Sequence, residues 1–258
     1  MLINFFKYQG TGNDFVIIDN RQLIFPKNDT KLVNHLCDRR FGIGGDGLIL
    51  LENDEKTDFK MVYYNADGNE SSMCGNGGRC IVAFAKYLGI IENETVFDAI
   101  DGLHNASITD ETVSLQMKNV SKIEALKNYV FLDTGSPHHV QFENELDKLD
   151  VKEKGAAIRY GKYGMSGSNI NFVEKESDSV FAVRTYERGV EDETYSCGTG
   201  VTAVAIAMNH LEESDKKDIT LKTQGGVLNV SFEIEGGTYQ NIFLKGPAKQ
   251  VFKGQIEC

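Results

Sequence analysis

Cys-Gly-Asn-Gly stands at 74–77 and Cys-Gly-Thr-Gly at 197–200, the two cysteines being 123 positions apart. Each copy leads into small and apolar residues that read as a buried helix. A thiol with its ordinary pKa of about 8.5 is mostly protonated at neutral pH, and a helix N-terminus lowers that pKa to roughly 3.5–7.5. The glycines allow a tight turn and let a ligand approach the backbone. Amides at a helix start favour an anion, either a thiolate or a carboxylate. Two matched thiols suit one chemistry in particular: taking a proton from one face of a carbon and returning one on the other. Acid–base groups work within close reach of the proton they move. With each sulfur ~3–3.5 Å from the carbon, the sulfurs stand ~6–7 Å apart in a closed complex. The carbanion formed between the two transfers spreads its charge onto a neighbouring carboxylate, which two helix starts would stabilise.

A lone cysteine among small apolar residues is more often core than catalyst. Cys80 falls inside the first helix, and the residue 123 further on is Ala203, so Cys80 reads as core. Cys37 and the terminal Cys258 have no reactive context either. Asp67 and Glu70 precede the first motif, and Glu191, Asp192 and Glu193 precede the second. They are candidates for capping the helices or tuning the thiols. Two other classes stay open: a redox switch forming a Cys74–Cys197 disulfide, and a non-enzymatic amino-acid-binding module, which needs no pair of thiols.

The elements that must carry the thiols repeat with them. Thr11-Gly12 maps onto Thr134-Gly135, Gly44 onto Gly167, Asp46 onto Asn169, Tyr63 onto Tyr186, Glu70 onto Glu193 and Gly102 onto Gly225, in one gapless register. The chain therefore reads as two halves, about 1–120 and about 121–249, with the last residues, about 250–258, joining the first half. In the first half, strands are expected from the N-terminus and over 15–19, 48–52, 59–65, 96–99, 105–108 and 112–117. A short helix over 30–40 starts at Asp29 or Thr30, and an apolar helix over 80–88 stops at Gly89. In the second half, strands are expected over 129–133, 140–142, 169–174, 180–186, 219–223, 227–234 and 242–245, with a buried helix over 201–211. Many strands around one buried helix per half predict an α+β fold of two pseudo-symmetric halves. A cleft between closely packed halves is the expected ligand site.

Composition narrows the partners. A net charge of −11 without a basic block argues against nucleic acid or an anionic membrane. No stretch reaches the ~18 apolar residues of a membrane span, and the N-terminal residues lack the pattern of a signal peptide, so a cytoplasmic protein with reduced thiols is expected. Gly42, Gly44 and Gly47 match a dinucleotide fingerprint in form, but they follow a helix and precede a strand, the reverse of what that site needs. His138 and His139 are adjacent in a strand and point to opposite faces. With no His/Asp/Glu cluster of ligand spacing, neither a metal nor another cofactor is expected. His35, His104 and His210 read as surface or core residues.

The motifs resemble those of the diaminopimelate epimerase family. They are Tyr8-Gln9-Gly10-Thr11-Gly12-Asn13-Asp14-Phe15, Phe41-Gly42-Ile43-Gly44-Gly45-Asp46-Gly47, Asn65-Ala66-Asp67-Gly68, and Met73-Cys74-Gly75-Asn76-Gly77-Gly78-Arg79-Cys80. In the second half they are Gly135-Ser136-Pro137-His138, Gly167-Ser168-Asn169-Ile170-Asn171-Phe172, Tyr186-Glu187-Arg188-Gly189, and Ser196-Cys197-Gly198-Thr199-Gly200. The resemblance runs to Lys245-Gly246-Pro247-Ala248 and the end. It implies a cofactor-independent epimerase that interconverts LL- and meso-2,6-diaminopimelate on the route to lysine and peptidoglycan. It further implies two halves, each a curved, mainly antiparallel sheet around a central helix, and a homodimer. Cys74 and Cys197 would be the acid/base thiols, and Gly75, Asn76, Gly198 and Thr199 would hold the reacting carboxylate. Asn13, Asn65, Asn169, Glu187 and Arg188 would hold the substrate, mostly its distal end, while His138 and Glu187 help position or activate the thiols. Two positions depart from the family pattern. Ser136 stands where many members carry a substrate-contacting Asn, and Gly47 where some carry a Gln. A related proline or hydroxyproline racemase would also use two cysteines, but it would leave Arg188 and Asn65 without a purpose.

Overall fold

The computed structural model describes residues 1–71 and 73–258. The chain forms two compact units, one of Met1–Leu115 with Pro247–Cys258 and the other of Gln116–Gly246.

In the first unit, β1 (Leu2–Gly10) pairs antiparallel with β2 (Asn13–Asp19), and β2 pairs parallel with β3 (Gly47–Glu52). Next, β4 (Phe59–Asn65) runs antiparallel to β3 and parallel to β5 (Glu94–Ala99). The sheet continues antiparallel through β6 (Gly102–Thr109) and β7 (Thr112–Gln116). Parallel neighbours need a long crossover. Helix α1 (Thr30–Cys37) lies in the first crossover and α2 (Gly75–Tyr87) in the second.

The second unit repeats the scheme. After β8 (Ile123–Ala125), β9 (Val130–Asp133) is antiparallel to β10 (Pro137–Phe142), and β10 is parallel to β11 (Asn169–Lys175). Helix α3 (Val151–Tyr163) lies in that crossover. Strand β12 (Val180–Glu187) is antiparallel to β11, with the short β13 (Asp192–Thr194) beside it, and is parallel to β14 (Asp218–Thr223) across α4 (Gly198–His210). Strands β15 (Gly226–Glu235) and β16 (Thr238–Pro247) complete the sheet. Parallel pairs thus occupy the same two slots in each unit, as expected of a duplicated α+β design. The gapless register does not hold throughout. The loop between β11 and β12 is residues 176–179, whereas the β3–β4 loop is residues 53–58. The shorter loop displaces β12 by two positions, and the β13 segment restores the offset before Cys197: Ile49 pairs with Tyr63, but Phe172 pairs with Arg184.

The two helices that carry the motifs are the centres of their units. Helix α2 touches β1, β2, β3 and β6, and α4 touches β9, β10, β11, β12, β14 and β15. Almost every residue of both helices is buried. Each begins directly after its cysteine, at Gly75 and Gly198, rather than at 80 and 201 as the apolar runs suggest. Glycine is a poor helix former, and tertiary enclosure outweighs that tendency here. Helix α1 ends at Cys37, short of 40, because the Asp38 carboxylate accepts from the amides of Arg40 and Phe41, both at 2.7 Å, and turns the chain. Helix α3 is absent from the sequence reading. Its two glycines and scattered apolar residues hide it, although Asp150 caps it by accepting from the Glu153 amide at 2.9 Å. The terminal strand β17 (Lys249–Glu257) pairs antiparallel with β1 in the first unit. None of the described helices is long and apolar enough to cross a membrane.

Candidate active site

Cys74 is the N-cap of α2 and Cys197 the N-cap of α4, each with extended backbone. Their carbonyls accept the first helical hydrogen bonds, from Gly78 and Val201. Neither thiol caps its own helix, so each sulfur stands at the positive end of a helix dipole. Four of the five carboxylates that the sequence put forward, Asp67, Glu191, Asp192 and Glu193, are engaged elsewhere. Asp67 accepts from the backbone and side chain of Asn69. Glu191 pairs with Arg159, Asp192 with Lys152 and Glu193 with Arg184. Cys37 and Cys80 are core residues, both thiols being pushed up to about 12 by burial.

The first unit gathers three of the expected site residues. Cys74 Sγ donates to Asn13 Oδ1 at 3.5 Å, and Asn76 Nδ2 donates to the same oxygen at 3.2 Å. Asn65 stands exposed at the end of β4, where its backbone closes a turn with Gly68 and Asn69. Gly47 has no room for a side chain. A Cβ there would lie 2.6 Å from both the Tyr63 ring and the Tyr64 carbonyl. The aromatic ring occupies the space that a longer residue would need.

The second unit gathers two groups. In one, Asn169 donates to Ser136 Oγ at 3.2 Å and accepts from the Arg188 amide at 2.8 Å, which joins two expected substrate residues to the supporting Ser136. The exposed Arg188 guanidinium donates to the Ser166 carbonyl. Glu187 accepts from Thr194 Oγ1 at 3.0 Å. In the other group, Cys197 Sγ lies 3.4 Å from Thr199 Oγ1, and the Thr199 carbonyl accepts from Thr134 Oγ1 at 2.8 Å.

Asn171, to which sequence reasoning gave no role, connects His138 with this turn. Its Nδ2 donates to the His139 carbonyl at 3.0 Å and faces His138 Nδ1 at 3.2 Å, while its Oδ1 accepts from Thr185 Oγ1 at 3.0 Å. A carbonyl can only accept, so the amide orientation is settled. His138 Nδ1 is then an acceptor, and the proton of the neutral ring sits on Nε2. Among the described residues Nε2 has no hydrogen-bond partner. Gly200 explains how Asn171 reaches α4: a Cβ at Gly200 would sit 2.5 Å from Asn171 Oδ1 and 3.3 Å from Cys197 Sγ. A buried polar residue in mid-strand was the available sequence signal for Asn171.

Burial, aided by the Arg188 charge, lowers the His138 pKa to about 3, and burial lowers that of His139 to about 4. Both native values lie below the ordinary 6.5, so from pH 6.5 downward the unfolded chain binds more protons than the folded one. Stability is therefore complete above about pH 6.5. It falls by up to about 1.4 kcal/mol per pH unit for each ring, until about pH 4 for His139 and pH 3 for His138. Denaturant unfolding at pH 7.5 and pH 5 is expected to show the folded state distinctly weaker at pH 5. Equal stabilities at the two pH values would contradict burial of both rings in neutral form.

The family model for diaminopimelate epimerase matches residues 5–123 and 130–251. A diaminopimelate epimerase from Flavobacterium psychrophilum is 64% identical, the match covering 97% of this chain and 99% of that protein. One from Aquifex aeolicus is 37% identical, with 98% of each covered. Among solved structures, a phenazine biosynthesis protein of the PhzF family from Bacillus anthracis superposes with a TM-score of 0.79 at 15% identity, over 100% of both chains. A hydroxyproline epimerase from Agrobacterium vitis gives 0.73, also at 15% identity, over 99% of this chain and 92% of that one. At such identities the likeness to these two is one of fold.

Proposed function

The chain belongs to the diaminopimelate epimerase family, and we propose that it interconverts LL- and meso-2,6-diaminopimelate with Cys74 and Cys197 as its two bases and no cofactor. The observation that carries this reading is the pair of thiols, each the N-cap of the buried central helix of its unit. In one direction a thiolate takes the α-proton and leaves a carbanion. The other thiol then delivers its proton to the opposite face, inverting the centre, and the two sulfurs exchange protonation states. The reverse reaction exchanges their roles. Backbone amides at Gly75, Asn76, Gly198 and Thr199 hold the reacting carboxylate and stabilise its growing charge.

The distal end of the substrate carries its own ammonium and carboxylate. Arg188 suits the carboxylate and Glu187 the ammonium, with Asn13, Asn65 and Asn169 supplying neutral hydrogen bonds. Ser136 contributes a hydroxyl through Asn169, and His138 supports the second thiol's turn through Asn171. A cytoplasmic homodimer is part of the proposal. The test is solvent deuterium incorporation at the α-carbon of LL-diaminopimelate, run beside proline and glutamate. Exchange with inversion of diaminopimelate alone is expected, and turnover of proline in its place would sink the substrate assignment.

A further inference from the structure

We propose that Asp46 is a positioning residue that turns the Asn13 amide so that its carbonyl oxygen, and not its NH2 group, faces the Cys74 sulfur. The inference rests on the reading of Cys74 as an acid/base group. Asn13 Nδ2 donates to Asp46 Oδ2 at 2.6 Å. A carboxylate only accepts, so the amide nitrogen must lie on that side and the oxygen on the other. The Asp46 carboxylate is itself anchored, by the Asp14 amide on Oδ2 at 3.2 Å and by Arg39 on Oδ1 at 2.8 Å.

The far side of the chain agrees independently. Arg79 is fully buried, forms no ion pair among the described residues, and donates to Asn76 Oδ1 at 3.0 Å. A guanidinium only donates, so Asn76 presents its Nδ2 to Asn13 Oδ1. An anion at one end and a cation at the other therefore give both amides the same polarity. The remaining charges beside Asp46, Lys7 and Arg39, are paired with Asp14. Although burial pushes the Asp14 carboxyl up, hydrogen bonds from Arg39 and Lys7 outweigh this and hold it at about 2.

The consequence falls on the proton of Cys74. A carboxamide oxygen accepts from S–H and offers nothing to a thiolate, so this orientation favours the protonated sulfur. Cys74 is thereby the protonated partner of the resting enzyme, which delivers its proton once Cys197 has taken the α-proton.

The test compares Asp46→Asn with Asp46→Leu, which lose the same charge while only Asn keeps an acceptor for Asn13. The Asp46 side chain is 43% exposed, and thermal melting verifies that both variants fold. Iodoacetamide labelling of Cys74 at pH 7 is followed peptide by peptide by mass spectrometry. Asp46→Asn is expected to label within about twofold of the wild type. Asp46→Leu, with the amide released to offer N–H to the sulfur, should label roughly three- to tenfold faster, the Asn76 contact limiting the gain. Equal acceleration in both variants would mean that charge and not orientation matters, and Leu labelling no faster than wild type would remove the role of Asp46; either result overturns the proposal. A second measurement needs no change at Asp46. The infrared S–H stretch lost in Cys74→Ala should lie below that of an unbonded thiol, and an unshifted or absent band overturns the proposal. Labelling requires no turnover, so its failure is distinct from failure of the acid/base reading of Cys74, which would appear as normal epimerisation by Cys74→Ala.

Discussion

Cys74→Ala and Cys197→Ala are each expected to lower epimerisation of diaminopimelate by at least about 10³-fold, the scale of a lost acid–base group. Inversion needs a base on one face and an acid on the other, so one remaining thiol cannot complete it. The substitution removes a single sulfur from an N-cap whose backbone already has its helical partner, and neither thiol caps its helix. Folding should therefore persist, and circular dichroism would verify that a dead variant is a folded one. The two variants should also fail alike, in both directions of the reaction. A variant lacking both thiols that still inverted the α-carbon at the normal rate would defeat the two-base mechanism. Normal inversion by one single variant would reduce it to a one-base mechanism. A redox switch predicts the opposite pattern, with thiol oxidation but no α-proton exchange.

Gly200→Ala is expected to be the most damaging single methyl group in the second unit's site. The added carbon would lie 2.5 Å from Asn171 Oδ1 and 3.2 Å from Cys197 Cβ. Asn171 cannot easily yield, because it is fully buried and tied to Thr185, His139 and His138. Overpacking of this kind costs about 1–3 kcal/mol of stability. Activity should fall further, by roughly 10²-fold, because the shift displaces Cys197, the proposed proton-transfer group. Gly161→Ala is the control. It lies in α3 with nothing within 4 Å of the added carbon, so it should leave activity alone and stabilise by up to about 1 kcal/mol. The pair is measured by denaturant unfolding and by epimerisation rate. Gly200→Ala that matched wild type in both would mean that α4 and Asn171 do not constrain each other.

The chemistry was legible because it is written in local patterns. Cys-Gly-x-Gly before an apolar run states a thiol at a helix start, and the second copy states that the arrangement is used twice. The fold class followed for the same reason, since β4, α2, β12 and α4 have clear periodicity and clear stops. The repeat could have yielded more than it did: α3 is the counterpart of α1, yet its composition alone conceals it. What the chain could not disclose locally are partners distant in sequence. Asp46 meets Asn13, Arg79 meets Thr11, and Asn171 meets Thr185 and the turn at Gly200 only once strands and helices are assembled.

Residue types and their spacing, by themselves, determined that two thiols stand before two buried helices, the pair proposed here to exchange protons. The tertiary structure alone decided which way each amide beside them points, which histidine nitrogen keeps its proton, and why Gly47 and Gly200 bear no side chain. The physical reason is that nucleophile identity and helix-start geometry are properties of a few consecutive residues. Hydrogen-bond polarity and close approach are properties of the enclosure, in which a carboxylate, a guanidinium or a backbone carbonyl brought from elsewhere leaves only one orientation satisfied.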